Sequence, residues 1–232
     1  MTSNTKKGLI LCQPDGRRGC SACCGLFNLP DISRSALAGF LTGGCQRAAC
    51  GISGGEYAAH QGGAQCIRDG TAHVCPFQGF LDDGAKPGCL LHPLHAGDDY
   101  RDRSLYGAVI CEDFFCPAHV LLDDDRKRML LECVKDWYAY SIAIIDPASF
   151  IWIYDKAKGR APERMYTHTT FSRAVTGALL CHAEFLNRGG VPVFHYSVSE
   201  YNLHKHAFSL AVDSDARAAE QSAVLAELER LL

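Results

Sequence analysis

The chain has no long apolar run, and none of its spans approaches the ~20 apolar residues that a membrane-crossing helix needs. Its first residues, MTSNTKKGLILCQPDG, offer only Leu9 to Cys12 where a secretory core takes about 7–15 residues. The expectation is a soluble, cytoplasmic protein that meets no membrane. Charge of one sign is also scarce: the formal net charge is −3 and the sequence pI is near 6.3, which leaves no electrostatic footprint for a nucleic-acid backbone. The run Arg126-Lys127-Arg128 directly follows Asp123-Asp124-Asp125 and reads as a solvated helix face. Glycine pairs between Gly43 and Gly63 lack the lysine of GxxxxGK[ST], and no serine sits in GxSxG, so a phosphate-binding loop and a nucleophile elbow are both set aside. There is no internal repeat, no low-complexity segment and no alternating β-α pattern.

Cysteine, by contrast, is abundant. Thirteen cysteines in a chain without an export signal are better read as metal ligands and buried thiols than as disulfides, which a reducing compartment would not keep. The odd number agrees. The chain is organised around GCSACCG, Gly19 to Gly25, where Cys20, Cys23 and Cys24 stand between glycines. A Cys-x-x-Cys spacing lets a tight turn aim two sulfurs at one soft cation, and flanking glycines permit backbone angles a side chain would forbid. Cys24, adjacent to Cys23, points elsewhere and serves another face of the same centre or a second centre nearby. The remaining ligands are expected from Cys75, Cys89, Cys111 and Cys116, set in the turn-rich stretches HVCPFQG, KPGCLLHP and ICEDFFCPAH.

This order of CxxCC, C-aromatic, GC-aliphatic-aliphatic-His-Pro and paired cysteines ending in Cys-Pro resembles the CxxCxxCC (YkgJ-like) family of zinc- or iron-chelating proteins. The resemblance spans Cys20 to His119, about half of the chain. It implies metal chelation and includes Cys24 among the ligands. The family's first cysteine would fall at Arg17, so either Cys12 supplies that ligand from a longer loop or the site is one thiol short. His92 stands where the family shows an aromatic residue, and packing competes with ligation there. His119, three residues after Cys116, is the weaker candidate. His73 and His95 also lie near the motif, and His204 with His206 reads as an exposed polar pair.

The expected fold is mainly α, with an irregular, cysteine-rich, metal-stabilised N-terminal half and few short strands. Residues 1–121 form the metal-binding module and residues 122–232 a helical region packed on it as one compact domain; the alternative is two separable domains meeting near Leu121. A short helix is predicted over Arg34 to Leu41, capped by Asp31 or Ser33. Thr42 to Gly70 is glycine-broken loop carrying Cys45, Cys50 and Cys66, which are accessory ligands or free thiols. Tyr106 to Ile110 is a candidate short strand. One amphipathic helix is predicted from Asp123 to about Ile145, a second from Asp146-Pro147 to Gly159, a third from Thr170 to Asn187 and a last from about Asp215 to Leu231, with an edge or isolated strand over Val191 to Val198. Cys133 and Cys181 fall inside helices, where a free cysteine behaves as a small hydrophobe.

The functional expectation is a metal-binding protein whose clustered thiolates have a structural or metal-handling role. Zn2+ is preferred and iron or an iron–sulfur cluster is the alternative, because four thiolates suit either. Seven or eight cysteines make two four-ligand sites, or one site plus spare thiols. The competing class is an iron–sulfur or metal-dependent enzyme acting on a small molecule or peptide. A disulfide-exchange reading of Cys20-Ser21-Ala22-Cys23 lacks the strand that should lead into it.

Overall fold

A computed structural model of the chain describes residues 9–44, 74–82, 84, 86–104, 107, 111, 116, 118–163, 169–189 and 214–232. Among them the protein is mainly helical, with one short two-stranded sheet. Helix α1, Arg34–Thr42, begins where the Ser33 hydroxyl accepts from the Ala36 amide at 3.4 Å, which satisfies one of the free donors of a first helical turn. Its buried residues Leu37, Phe40 and Leu41 share one face. Of the two expected capping residues, Ser33 caps the helix, while Asp31 accepts from the Ser33 amide at 2.8 Å and fixes the turn before it.

Strands β1, Gln78–Leu81, and β2, Lys86–Cys89, pair antiparallel with Gln78 opposite Cys89. Four-residue strands containing Gly79, Pro87 and Gly88 carry little β propensity, so this hairpin was hidden in a stretch that reads as turns. Two short helices follow, α2, Pro93–Ala96, and α3, Ala118–Leu121. The strand expected over Tyr106 to Ile110 lies outside the described residues except for Gly107. The strand over Val191 to Val198, most of the Thr42 to Gly70 loop with Cys45, Cys50 and Cys66, and His73, His204 and His206 also lie outside them.

The helix predicted from Asp123 to Ile145 is two helices, α4, Asp124–Cys133, and α5, Trp137–Ile145. The break has a local cause. Asp136 accepts from the Ala139 amide at 2.9 Å, and a side chain that caps a new first turn competes with continuation of the old helix. Val134 turns extended, and the Arg18 guanidinium donates to the carbonyls of Leu131 and Val134 at the end of α4, where backbone acceptors are left free and a cation is favoured. Apart from Trp137, every residue of α5 is buried, which marks it as the central helix.

Asp146 closes α5 and opens α6, Pro147–Lys158: its carboxylate accepts from the Ser149 amide at 3.0 Å, and Pro147 holds the first helical position. Helix α7, Thr169–Gly189, presents Phe171, Ala174, Val175, Ala178, Leu179, His182, Ala183 and Leu186 to the interior, a spacing of three and four that faces one side. Helices α4, α5 and α6 pack on it, as does α8, Ser214–Leu231. None of the described helices is long and apolar enough to cross a membrane.

The irregular N-terminal segment is tied directly to these helices. Leu11, Leu26, Phe27 and Ile32 share one apolar cluster with Leu130, Tyr140, Ile142, Phe150, Phe171, Leu179 and Leu228. The Tyr140 hydroxyl donates to the Leu11 carbonyl at 2.7 Å and the Tyr138 hydroxyl to the Ile32 carbonyl at 2.8 Å. The Ile32 amide donates to the Asn187 side chain at 2.8 Å. Both polar backbone groups of Ile32 are thus satisfied by side chains of α5 and α7, as burial requires.

Candidate metal centre

The GCSACCG stretch folds into a single 3-10 turn over Ala22–Cys24. The Cys24 amide donates to the Ser21 carbonyl at 3.1 Å and the Gly25 amide to the Ala22 carbonyl at 2.9 Å. Gly25 has φ 79°, a left-handed angle that favours glycine. Gly19 is needed for a different reason: a Cβ there would lie 2.2 Å from the Pro87 carbonyl oxygen of β2. The cysteine turn therefore rests directly on the hairpin backbone.

Cys12 joins this turn from the preceding loop. The Asp15 carboxylate accepts from the amides of Arg17 and Arg18, each at 2.8 Å, so the chain reverses and the Cys20 amide donates to the Cys12 carbonyl at 3.0 Å. Arg17 itself is exposed. Cys12 lines the same cavity as Cys20 and Cys23.

One cavity is lined by Cys12, Cys20, Cys23, Cys116 and His119, with Leu11, Ala22 and Ile144 closing its apolar wall. His119 Nε2 lies 3.6 Å from Cys12 Sγ. His119 had the weaker claim in the sequence, yet it stands in this wall, whereas the Nδ1 of His92 accepts from the Leu94 amide at 3.2 Å and starts α2. Cys116 is brought in by the approach to α3, where the His119 amide donates to the Cys116 carbonyl at 2.9 Å.

The remaining thiols gather on the hairpin side. Cys75 is buried among Phe77, Leu81, Leu90 and Leu91, with Cys24 and Cys89 packed against the same cluster. The Cys75 amide donates to the Cys24 carbonyl at 2.8 Å. The Gln78 side-chain amide donates to the carbonyls of Cys75, at 2.8 Å, and Cys24, at 3.2 Å. Cys111 Sγ is 3.1 Å from Ser104 Oγ. Cys133 is buried in α4 and Cys181 half-buried in α7, within helices as the sequence indicated.

Burial pushes the thiols of Cys12, Cys20 and Cys111 above their ordinary range, that of Cys89 to about 11 and that of Cys116 to about 12. Cys23 is the exception. A hydrogen bond from Cys24 holds its thiol lower despite burial, and the same bond pushes Cys24 up. Burial likewise lowers His119 to about 4, keeping it neutral. Buried thiols with a neutral imidazole are costly to ionise alone, and a divalent cation inverts that preference because a coordinating thiol is deprotonated outright.

The donor set fits a soft metal in kind: four thiols and a neutral imidazole line one cavity. The buried hydroxyl of Ser21, inside the same turn, finds no partner among the described residues. As the side chains stand, no group of three or more Cys, His, Asp or Glu among the described residues is already arranged to hold a metal ion.

A second buried polar cluster escaped the sequence reading altogether. His182 of α7 is 2% exposed, with Nε2 3.1 Å from Asp146 Oδ2 and Nδ1 hydrogen-bonded to Glu220 of α8. The Ser149 hydroxyl donates to Asp146 Oδ2 at 2.6 Å. Burial alone would lower the His182 pKa, but the bonds to Asp146 and Glu220 prevail and raise it to about 9. The node pins three helical segments together. Comparison of the chain with family profiles, with curated proteins and with solved structures finds no match.

Proposed function

We propose that the protein binds a soft metal ion, zinc in the first place and iron as the alternative, through the thiolates of Cys12, Cys20, Cys23, Cys24, Cys75, Cys89, Cys111 and Cys116. The observation that carries this reading is the cavity lined by Cys12, Cys20, Cys23, Cys116 and His119. These residues come from segments about a hundred positions apart, and nothing in their local sequence requires them to meet. A bound cation would cross-link the N-terminal loop to the approach to α3, which gives it a structural role in a half of the chain that has few regular elements. Zinc held by four thiolates would be closed to further ligands, whereas a site keeping an open position would serve chemistry.

Elemental analysis and the visible spectrum of the full chain, purified anaerobically, test the proposal. The expected result is a colourless protein that retains zinc through gel filtration. A brown protein containing sulfide would replace zinc by an iron–sulfur cluster on the same thiols. Reduced protein that takes up neither metal would overturn the reading.

A further inference from the structure

We infer that the eight cysteines build two separate metal centres joined back to back at the Cys23–Cys24 peptide, one from Cys12, Cys20, Cys23 and Cys116 with His119 beside it, the other from Cys24, Cys75, Cys89 and Cys111. This inference rests on the metal-binding reading above and adds to it the number of ions and the division of ligands.

The first argument is capacity. A zinc ion is satisfied by four thiolates in a tetrahedron, so eight thiols drawn to one region exceed what one ion can use. The second is packing. Cys116 belongs to the main core, with Cys20 and Cys23 packed against it. Cys75 belongs to a distinct apolar cluster under the hairpin, with Cys24 and Cys89 packed against that one. The division falls between two consecutive residues. In the tight turn that ends at Gly25, Cys23 faces the cavity beside Leu11 and Ile144, and Cys24 faces Cys75 and Phe77.

Backbone hydrogen bonds follow the same division. The Cys20 amide is bonded to the Cys12 carbonyl, which ties together two members of the first group, and the Cys75 amide to the Cys24 carbonyl, which ties two members of the second. Apart from Cys23, neighbouring thiols group the same way: Cys116 lies near Cys12 and Cys20, and Cys24 near Cys75 and Cys89, with Cys111 near Cys89. The division is bridged at its junction: the thiols of Cys23 and Cys24 are hydrogen-bonded to each other, and Cys23 also acts on Cys89 and Cys111. The place of Cys23 at the junction makes it the thiol whose loss disturbs both centres, so a decisive test leaves it unchanged.

Cys12 and Cys111 are both half-buried and belong to different groups. Reduced full-length protein and its Cys12→Ser/His119→Ala, Cys111→Ser and combined forms are titrated with Co2+, whose thiolate charge-transfer absorption reports each ion as it binds, against a weak chelator. Two closed tetrahedral centres predict about two equivalents in the parent, about one in each variant that disables one centre and none in the combined form. A parent that saturates at one equivalent overturns the inference while leaving the metal reading intact. So does a variant aimed at one centre that empties both while the circular dichroism of the helices is unchanged. A parent that binds no Co2+ overturns the metal reading itself. The parent's own stoichiometry decides the question even where a variant does not fold.

Discussion

The two halves of the chain share one apolar core but differ in regular structure and in where their cysteines lie. From α4 onward, α4, α5 and α6 each start on a capping aspartate, Asp123, Asp136 and Asp146, and together with α7 and α8 they bury apolar faces; the interior polar group His182 is answered by Asp146 and Glu220. Among the described residues from Leu11 to α3, the regular elements are a nine-residue helix, two four-residue strands, two four-residue helices and three 3-10 turns, and thiols gather among them. On the proposed reading, a bound cation would add to the order that packing gives the cysteine half, as metal binding couples to folding.

The comparison breaks first where packing is densest. Phe171 is fully buried in α7, with its ring set edge-on to Tyr154 at 5.6 Å between centroids. Phe171→Ala is expected to cost about 3–5 kcal/mol. Denaturant unfolding should show this, while the metal content per folded chain stays unchanged.

The polar node gives the next largest effect, and it depends on pH. The His182 pKa is raised from 6.5 to about 9, so the protonated imidazole contributes stability that is fully present below about pH 6.5 and is lost as pH rises through about 9. The carboxylates of Asp146 and Glu220 face the ring, and Arg217 lies on the neighbouring wall. Replacing His182 by Gln should therefore cost most at low pH, up to about 3 kcal/mol. The gap to the parent should close as pH approaches 9, as read from midpoints of thermal unfolding across that range.

A smaller effect is expected on the cysteine side. At Gly19 a Cβ would meet a backbone carbonyl, which cannot swing aside as a side-chain end can. Gly19→Ala is expected to cost about 1–3 kcal/mol through displacement of the turn or of β2, and to weaken metal retention with it. Competition with a chelator checks that coupling. Smallest of all, Cys133→Ala and Cys181→Ala should each shift stability by about 1 kcal/mol or less and leave bound metal intact.

What the sequence discloses depends on how local each signal is. Helices α1, α6, α7 and α8 are legible because cap, apolar period and stop lie within the element itself. The break between α4 and α5 is not, because Val134, Trp137 and Tyr138 continue a helical spacing across it and the cap at Asp136 sits inside the pattern. Cys12 had a readable signal in Pro14-Asp15-Gly16, a turn that returns the chain toward Cys20. His119 had only its spacing of three from Cys116, and its approach to Cys12, 107 positions away, had no local signal. The same holds for His182, whose partners lie 36 and 38 positions off on other helices.

Hydrogen exchange on the full chain, before and after removal of metal by a chelator under reducing conditions, tests most directly the claim that a bound cation adds to the order of the cysteine half and not to that of the helical half. The account predicts that amides around Cys12 to Gly25 and across the β1–β2 hairpin lose protection on metal removal, while those of α5 and α7 keep theirs. Equal loss in both halves, or protection unchanged around Cys20 and Cys75 after the metal has gone, would contradict it.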